Sequence, residues 1–147
     1  MIRLYLDNCC YNRPYDDQTQ IRINLETQAK LYLQEMIRDK KVELVTSYVL
    51  DYENSRSRYD IQRKAIKRFM DENSTIYVGA GRVQEAENIA KEIQKTGVKE
   101  KDSLHLACAI IAECDYFIST DDRLLKYTSD KMQLLTPTEF IRRLEEL

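Results

Sequence analysis

Residues 101–125 read KDSLHLACAIIAECDYFISTDDRLL. From Asp102 to Glu113 the stretch is nearly all apolar, with Leu104, Leu106, Ala107, Ala109, Ile110 and Ile111, and its helix formers predict a helix. Tyr116–Ile118 then reads as a short strand, and two acids, Asp121 and Asp122, follow it. A helix that feeds a parallel strand runs antiparallel to it. Asp102, at the start of the helix, and Asp121, past the end of the strand, therefore fall on the same edge of a sheet.

The rest of the chain repeats this alternation. Ile2–Leu6, Val42–Val45, Thr75–Val78 and Gln133–Leu135 read as strands. Helices are predicted over 18–38, 48–57 and 59–71, from Gly81 to near Gly97, and from Thr136-Pro137-Thr138 onward. Ser47 is the expected N-cap of the 48–57 helix, and Pro137 suits a first helical turn. Strands alternating with helices predict an α/β fold, a central parallel sheet of about five strands with helices on both faces. No repeat, low-complexity tract or Pro/Ser-rich linker divides it, so 1–147 is read as one domain.

Composition narrows the function classes. The chain has 147 residues, 43% hydrophobic and 33% charged, with only 3 Gly and 2 Pro, which argues against disorder and against a turn-rich all-β fold. Its 23 Lys and Arg against 25 Asp and Glu give a net charge of −2, so nucleic acid can be gripped only through a local patch. No apolar run is long enough for a membrane span, and Asp7 interrupts the N-terminus too early for a signal peptide. A cytoplasmic protein with four reduced cysteines is expected; Cys9, Cys10, Cys108 and Cys114 show no zinc spacing.

Sites in open α/β sheets form at the carboxyl ends of the strands. Asp7 ends the first strand, Asp121 and Asp122 follow the fourth, Asp102 opens the helix leading into it, and Glu53 lies two turns into the helix after the second strand. Asp51 is the rival of Glu53. Two residues apart on a helix, they point about 200° apart, and Glu53 shares the apolar side of Val49 and Leu50. Asp at a strand end or helix start often serves only as a cap. Four carboxylates converging from distant segments repel one another and need a cation. Oxygen donors select Mg²⁺ or Mn²⁺, which activate water and neutralise charge in phosphodiester hydrolysis.

The segments LYLDN with Asp7, TSYVLDYE with Glu53, and KDSLHLACAIIAECDYFISTDDRLL with Asp102 and Asp121 resemble the PIN domain, a family of metal-dependent nucleases. The resemblance runs from residue 4 to residue 125, and size and layout look most like the virulence-associated protein C (VapC) toxins of bacterial toxin–antitoxin pairs. It implies a three-layer α/β/α fold. It implies that Asp7, Glu53, Asp102 and Asp121 hold Mg²⁺ or Mn²⁺, that the Ser119 hydroxyl orients the site, and that Asn8 hydrogen-bonds the cluster. Asp122, an extra acid, either joins the metal or caps the next turn. An RNA substrate, an endoribonuclease activity, a cognate antitoxin and a homodimer are further implications. The alternatives are a PIN nuclease without an antitoxin and a metal-free binding module.

Two stretches are candidate RNA contacts. Segment 56–68 carries Arg56, Arg58, Arg63, Lys64, Lys67 and Arg68 against a single Asp60, with Tyr52 and Tyr59 nearby to stack on bases. Arg13, in what reads as a loop after Asp7, is placed to grip a phosphate. His105, the only histidine, is expected to be a packed helix residue rather than a catalytic base.

Overall fold

The computed structural model describes residues 1–146. Five strands, β1 (Arg3–Leu6), β2 (Glu43–Ser47), β3 (Ile76–Val78), β4 (Tyr116–Ile118) and β5 (Gln133–Leu135), form one sheet in the order β3-β2-β1-β4-β5. Every pairing is parallel. Leu4, Tyr5 and Leu6 are all fully buried, because β1 is central and covered on both faces.

The helices are α1 (Asn8–Asn12), α2 (Ile21–Arg38), α3 (Tyr48–Ser55), α4 (Asp60–Asn73), α5 (Val83–Gln94), α6 (Glu100–Ile111) and α7 (Pro137–Glu146). α2 packs on α7, and α5 packs on α6, which gives the sheet a helical layer on each side. Small residues allow the second contact: Ala86 and Ala90 of α5 and Ala107 and Ala109 of α6 are buried. The predicted α/β/α layering is therefore the observed one.

Local signals set several boundaries. The Ser47 hydroxyl accepts the Leu50 N–H at 3.2 Å and starts α3. Thr136 and Glu139 cap α7 reciprocally, each side chain taking the other's backbone N–H at 3.1 Å. Gly97 adopts φ +101° just after α5, in the left-handed region that glycine enters without strain.

The stretch after Asp7 departs from expectation. The expected loop is helix α1 followed by a 3-10 turn at Arg13–Tyr15. The cause is a cap. Asp7 is extended, and its Oδ1 accepts the Asn8 N–H at 2.8 Å, which turns the chain into a helix directly at the end of β1. The α6 helix also begins earlier than expected, at Glu100 with Lys99 as N-cap, so Asp102 sits inside the first turn.

Candidate active site

β1 and β4 end side by side, with Leu6 paired to Ile118. The next residues leave the sheet on one edge, and this splits the chain's course between α1 and the turn at Ser119. Asp7 is 94% buried there, with a relative exposure of 6%. Its Oδ2 accepts the fully buried Ser119 hydroxyl at 2.9 Å, and Cys9 Sγ lies 3.4 Å from the same oxygen. Both oxygens are thus oriented by donors, two on Oδ2 and one, the Asn8 N–H, on Oδ1, which keeps a free lone pair.

Glu53 enters from α3. Its Oε1 accepts His105 Nε2–H at 2.6 Å, and Lys101 Nζ stands 3.8 Å from Oε2. His105 has no exposed surface. Its Nδ1 is 2.6 Å from the Tyr5 hydroxyl, which is 2.7 Å from Ser47 Oγ. A carboxylate only accepts, so Nε2 carries the hydrogen toward Glu53. In the neutral ring Nδ1 then accepts from Tyr5, and Tyr5 accepts from Ser47. The chain of donors Ser47→Tyr5→His105→Glu53 runs in one direction and leaves none of its buried polar atoms unmet.

Asp7, Glu53 and His105 each offer an atom within 4.8 Å of the others. Asp102 and Asp121 stand outside this tight group; Asp102 is coupled by charge to Asp7 and Glu53, and Asp121 to Asp102. Burial first, then the charges of Asp7, Asp121 and Glu53, push the Asp102 carboxyl above its ordinary range. Burial also works to raise Glu53, yet the hydrogen bond from His105, with Lys101 and the Asn8 amide, holds it below the usual value. Repulsion among these carboxylates is what a divalent cation would relieve. Asn8 Oδ1 is a further donor oxygen, buried beside Asp7 and without a hydrogen-bond partner. The oxygen-rich set of Asp7, Glu53, Asp102 and Asn8 fits a hard divalent ion, with the His105 imidazole committed to Glu53 and Tyr5.

The remaining candidates divide. Asp121 uses Oδ1 to accept the backbone N–H groups of Arg123 at 2.9 Å and Leu124 at 3.4 Å, so it caps a turn as well as facing Asp102. Asp122 is exposed and gripped by both arms of Arg22, at 2.6 and 2.7 Å. Asp51 faces the other way, toward Lys67 and Tyr77.

Arg13 is not free to hold a phosphate. It is paired with the buried Glu26 at 2.8 Å and with Asp16 at 3.1 Å. In the basic segment, Arg63 pairs with Asp60, Lys67 with Asp51 and Asp71, and Arg68 with Glu72. Arg56 and Arg58 lie over the Tyr52 and Tyr59 rings, 5.8 and 5.4 Å from their centroids. Lys64 has no ion pair among the described residues. The acids of α3 and α4 that offset this patch lie outside the 56–68 window, apart from Asp60, which is why the window looked so positive.

His105 is the site member that the sequence reading set aside. Its position three residues after Asp102, on the same helix face, and its isolation within an apolar helix were the available signals.

No family model matches the sequence, and neither does any curated protein. Solved structures do. VapBC2 from Rickettsia felis, bound to a DNA fragment from its promoter, is 13% identical with a TM-score of 0.55, over 90% of this chain and 97% of that one. FitAcB from Neisseria gonorrhoeae is 11% identical with a TM-score of 0.53, over 91% and 97%. FitAB bound to an IR36 DNA fragment is 13% identical with a TM-score of 0.54, over 92% and 95%. At such identities the likeness is one of fold. With its five parallel strands and acids at their carboxyl edge, the chain shares the fold of these structures.

Proposed function

We propose that this protein is a Mg²⁺- or Mn²⁺-dependent endoribonuclease and the toxin of a toxin–antitoxin pair. The observation that carries the reading is the convergence of Asp7, Glu53 and His105 at the carboxyl edge of the sheet, with Asp102 coupled to the two acids by charge. Asp7, Glu53 and Asp102 would hold the cation, with Asp121 and Asn8 beside them. When bound, the ion supplies a Lewis acid for water and for the charge that develops on the phosphodiester. Ser119 fixes the Asp7 carboxylate, and His105 fixes Glu53. Lys64, Arg56 and Arg58, with Tyr52 and Tyr59, would lead single-stranded RNA along α3 and α4 toward that edge. The PIN-fold neighbours are two-protein assemblies of toxin–antitoxin type, which supports a cognate antitoxin. A homodimer is part of the same proposal. No helix among the described residues is long and apolar enough to cross a membrane.

The test is cleavage of a mixed structured and single-stranded RNA pool with Mn²⁺, Mg²⁺ or EDTA, beside Asp7→Asn. Cutting should need the metal and fall at least about 100-fold in the variant. Absence of cutting, together with no thermal shift on adding either ion, would sink the catalytic reading and leave a binding module.

A further inference from the structure

Outside the acidic cluster, one cation, Lys30, is buried between α2 and α4, against the Tyr11 end of α1, with the exposed Arg38 beside it. A cavity of about 200 Å³ is lined there by Tyr11, Lys30, Gln34, Arg38 and Phe69, among others, and by no carboxylate. Lys30 has a relative exposure of only 6%. Its ammonium lies 5.7 Å from the Tyr11 ring centroid and 5.6 Å from that of Phe69, and donates to Gln34 Oε1 at 2.6 Å. Arg38 reaches the same Phe69 ring, 5.4 Å from its centroid. Neither cation has an ion pair among the described residues.

The polar atoms left over here are donors. The Lys30 ammonium has hydrogens to spare, the Gln34 amide nitrogen and the Arg38 guanidinium are uncommitted, and the Tyr11 hydroxyl is buried without any partner. A buried lysine without an ion pair, next to an exposed arginine and an orphaned hydroxyl, is the inverse of the acidic cluster. It is costly unless an anion joins it. Aromatic faces recover a part of that cost but leave the donors unmet.

We propose that this cavity is a binding site for a small oxyanion, a phosphate or carboxylate group, held by Lys30, Arg38, Gln34 and the Tyr11 hydroxyl. Burial and the Arg38 charge already weaken the proton affinity of Lys30, to a pKa of about 8, which a bound anion would restore. The site is independent of the metal cluster. Its ligand would brace α1, the helix that Asp7 caps, against α2 and α4.

Thermal unfolding of the full chain with EDTA present tests it, with inorganic phosphate or succinate against chloride at equal ionic strength. Wild type should gain a saturable roughly 3–6 °C with one of the two anions. Lys30→Met keeps the side-chain volume and removes a buried charge, so it should fold at least as well; Tyr11→Phe removes only the hydroxyl. Each should need at least about tenfold more anion for the same shift. A gain with phosphate alone or with succinate alone supports the site and names its ligand class. Equal shifts in wild type and Lys30→Met, or none with either anion, would overturn it as a salt effect or a dry cation–π cage.

Discussion

Glu53 is held at the cluster by a hydrogen bond from a histidine that is itself held by Tyr5. A carboxylate positioned this way needs no rearrangement when a cation arrives. His105→Leu, which removes the donor, should therefore weaken Mn²⁺ binding by about 10–100-fold in calorimetry. His105→Gln, which retains an N–H near the same place, should recover part of that loss. Tyr5→Phe leaves the Glu53 donor but frees the ring tautomer, and should fall between the two. Equal Mn²⁺ affinity in a folded His105→Leu protein would reduce His105 to a packing residue. The acids of this site were readable one by one, because each lies within two turns of an element end that the sequence marks. The histidine was not, because its role depends on Tyr5 and Glu53, 100 and 52 positions away.

Among the elements, α1 and its 3-10 extension owe their place to an ion pair. Glu26 on α2 is 98% buried, and Arg13 is its nearest cation, with Arg22 farther at 3.4 Å. Arg13→Ala leaves a buried carboxylate with one weak partner. It should cost about 2–3 kcal/mol, or roughly 5–10 °C in Tm, measurable by thermal unfolding. In α4 the pattern reverses, since most of its cations are already answered. Charge reversal at Lys64 should weaken single-stranded RNA binding to an Asp7→Asn protein and reduce the salt slope by about one charge. Neutralising the paired Arg68 should do much less, and fluorescence anisotropy across a salt series separates the two. Apart from Asp60, the sequence window showed the cations of this element but not their partners, which α3 and the end of α4 supply.

Across the whole molecule, buried titratable groups set the pH response. Cys10, Cys108 and Cys114 are buried thiols, with Cys108 and Cys114 pushed up to about 12 by burial. The unfolded chain ionises them near 9, so stability falls as pH rises above that value. Lys30 has the opposite sign. Native Lys30 releases its proton near 8 and the unfolded chain near 10.5. Between those values the unfolded state binds more protons, so this residue's cost is present in full below 8 and disappears by about 10.5. In phosphate-free buffer Lys30→Met should thus be the more stable protein at pH 7, by about 1–3 kcal/mol, and the gap should close toward pH 10. Denaturant titrations of both proteins across that range check it. A constant gap would show that Lys30 titrates normally.

The sequence alone determined the layered α/β architecture, the strands and most helices, and the edge on which the acids gather. These follow from local periodicity, caps and the direction in which a helix must return to a parallel sheet. It also separated Glu53 from Asp51, since helical geometry sends them to opposite sides. Tertiary structure alone decided which charges are free. Arg13 is taken by Glu26, Asp122 by Arg22, Lys67 by Asp51 and Asp71, and His105 is drawn into the cluster by Tyr5. An ion pair or a buried hydrogen bond depends on distance in space. Except for Lys67 and Asp71, one helical turn apart on α4, the residues that decide it here belong to different elements.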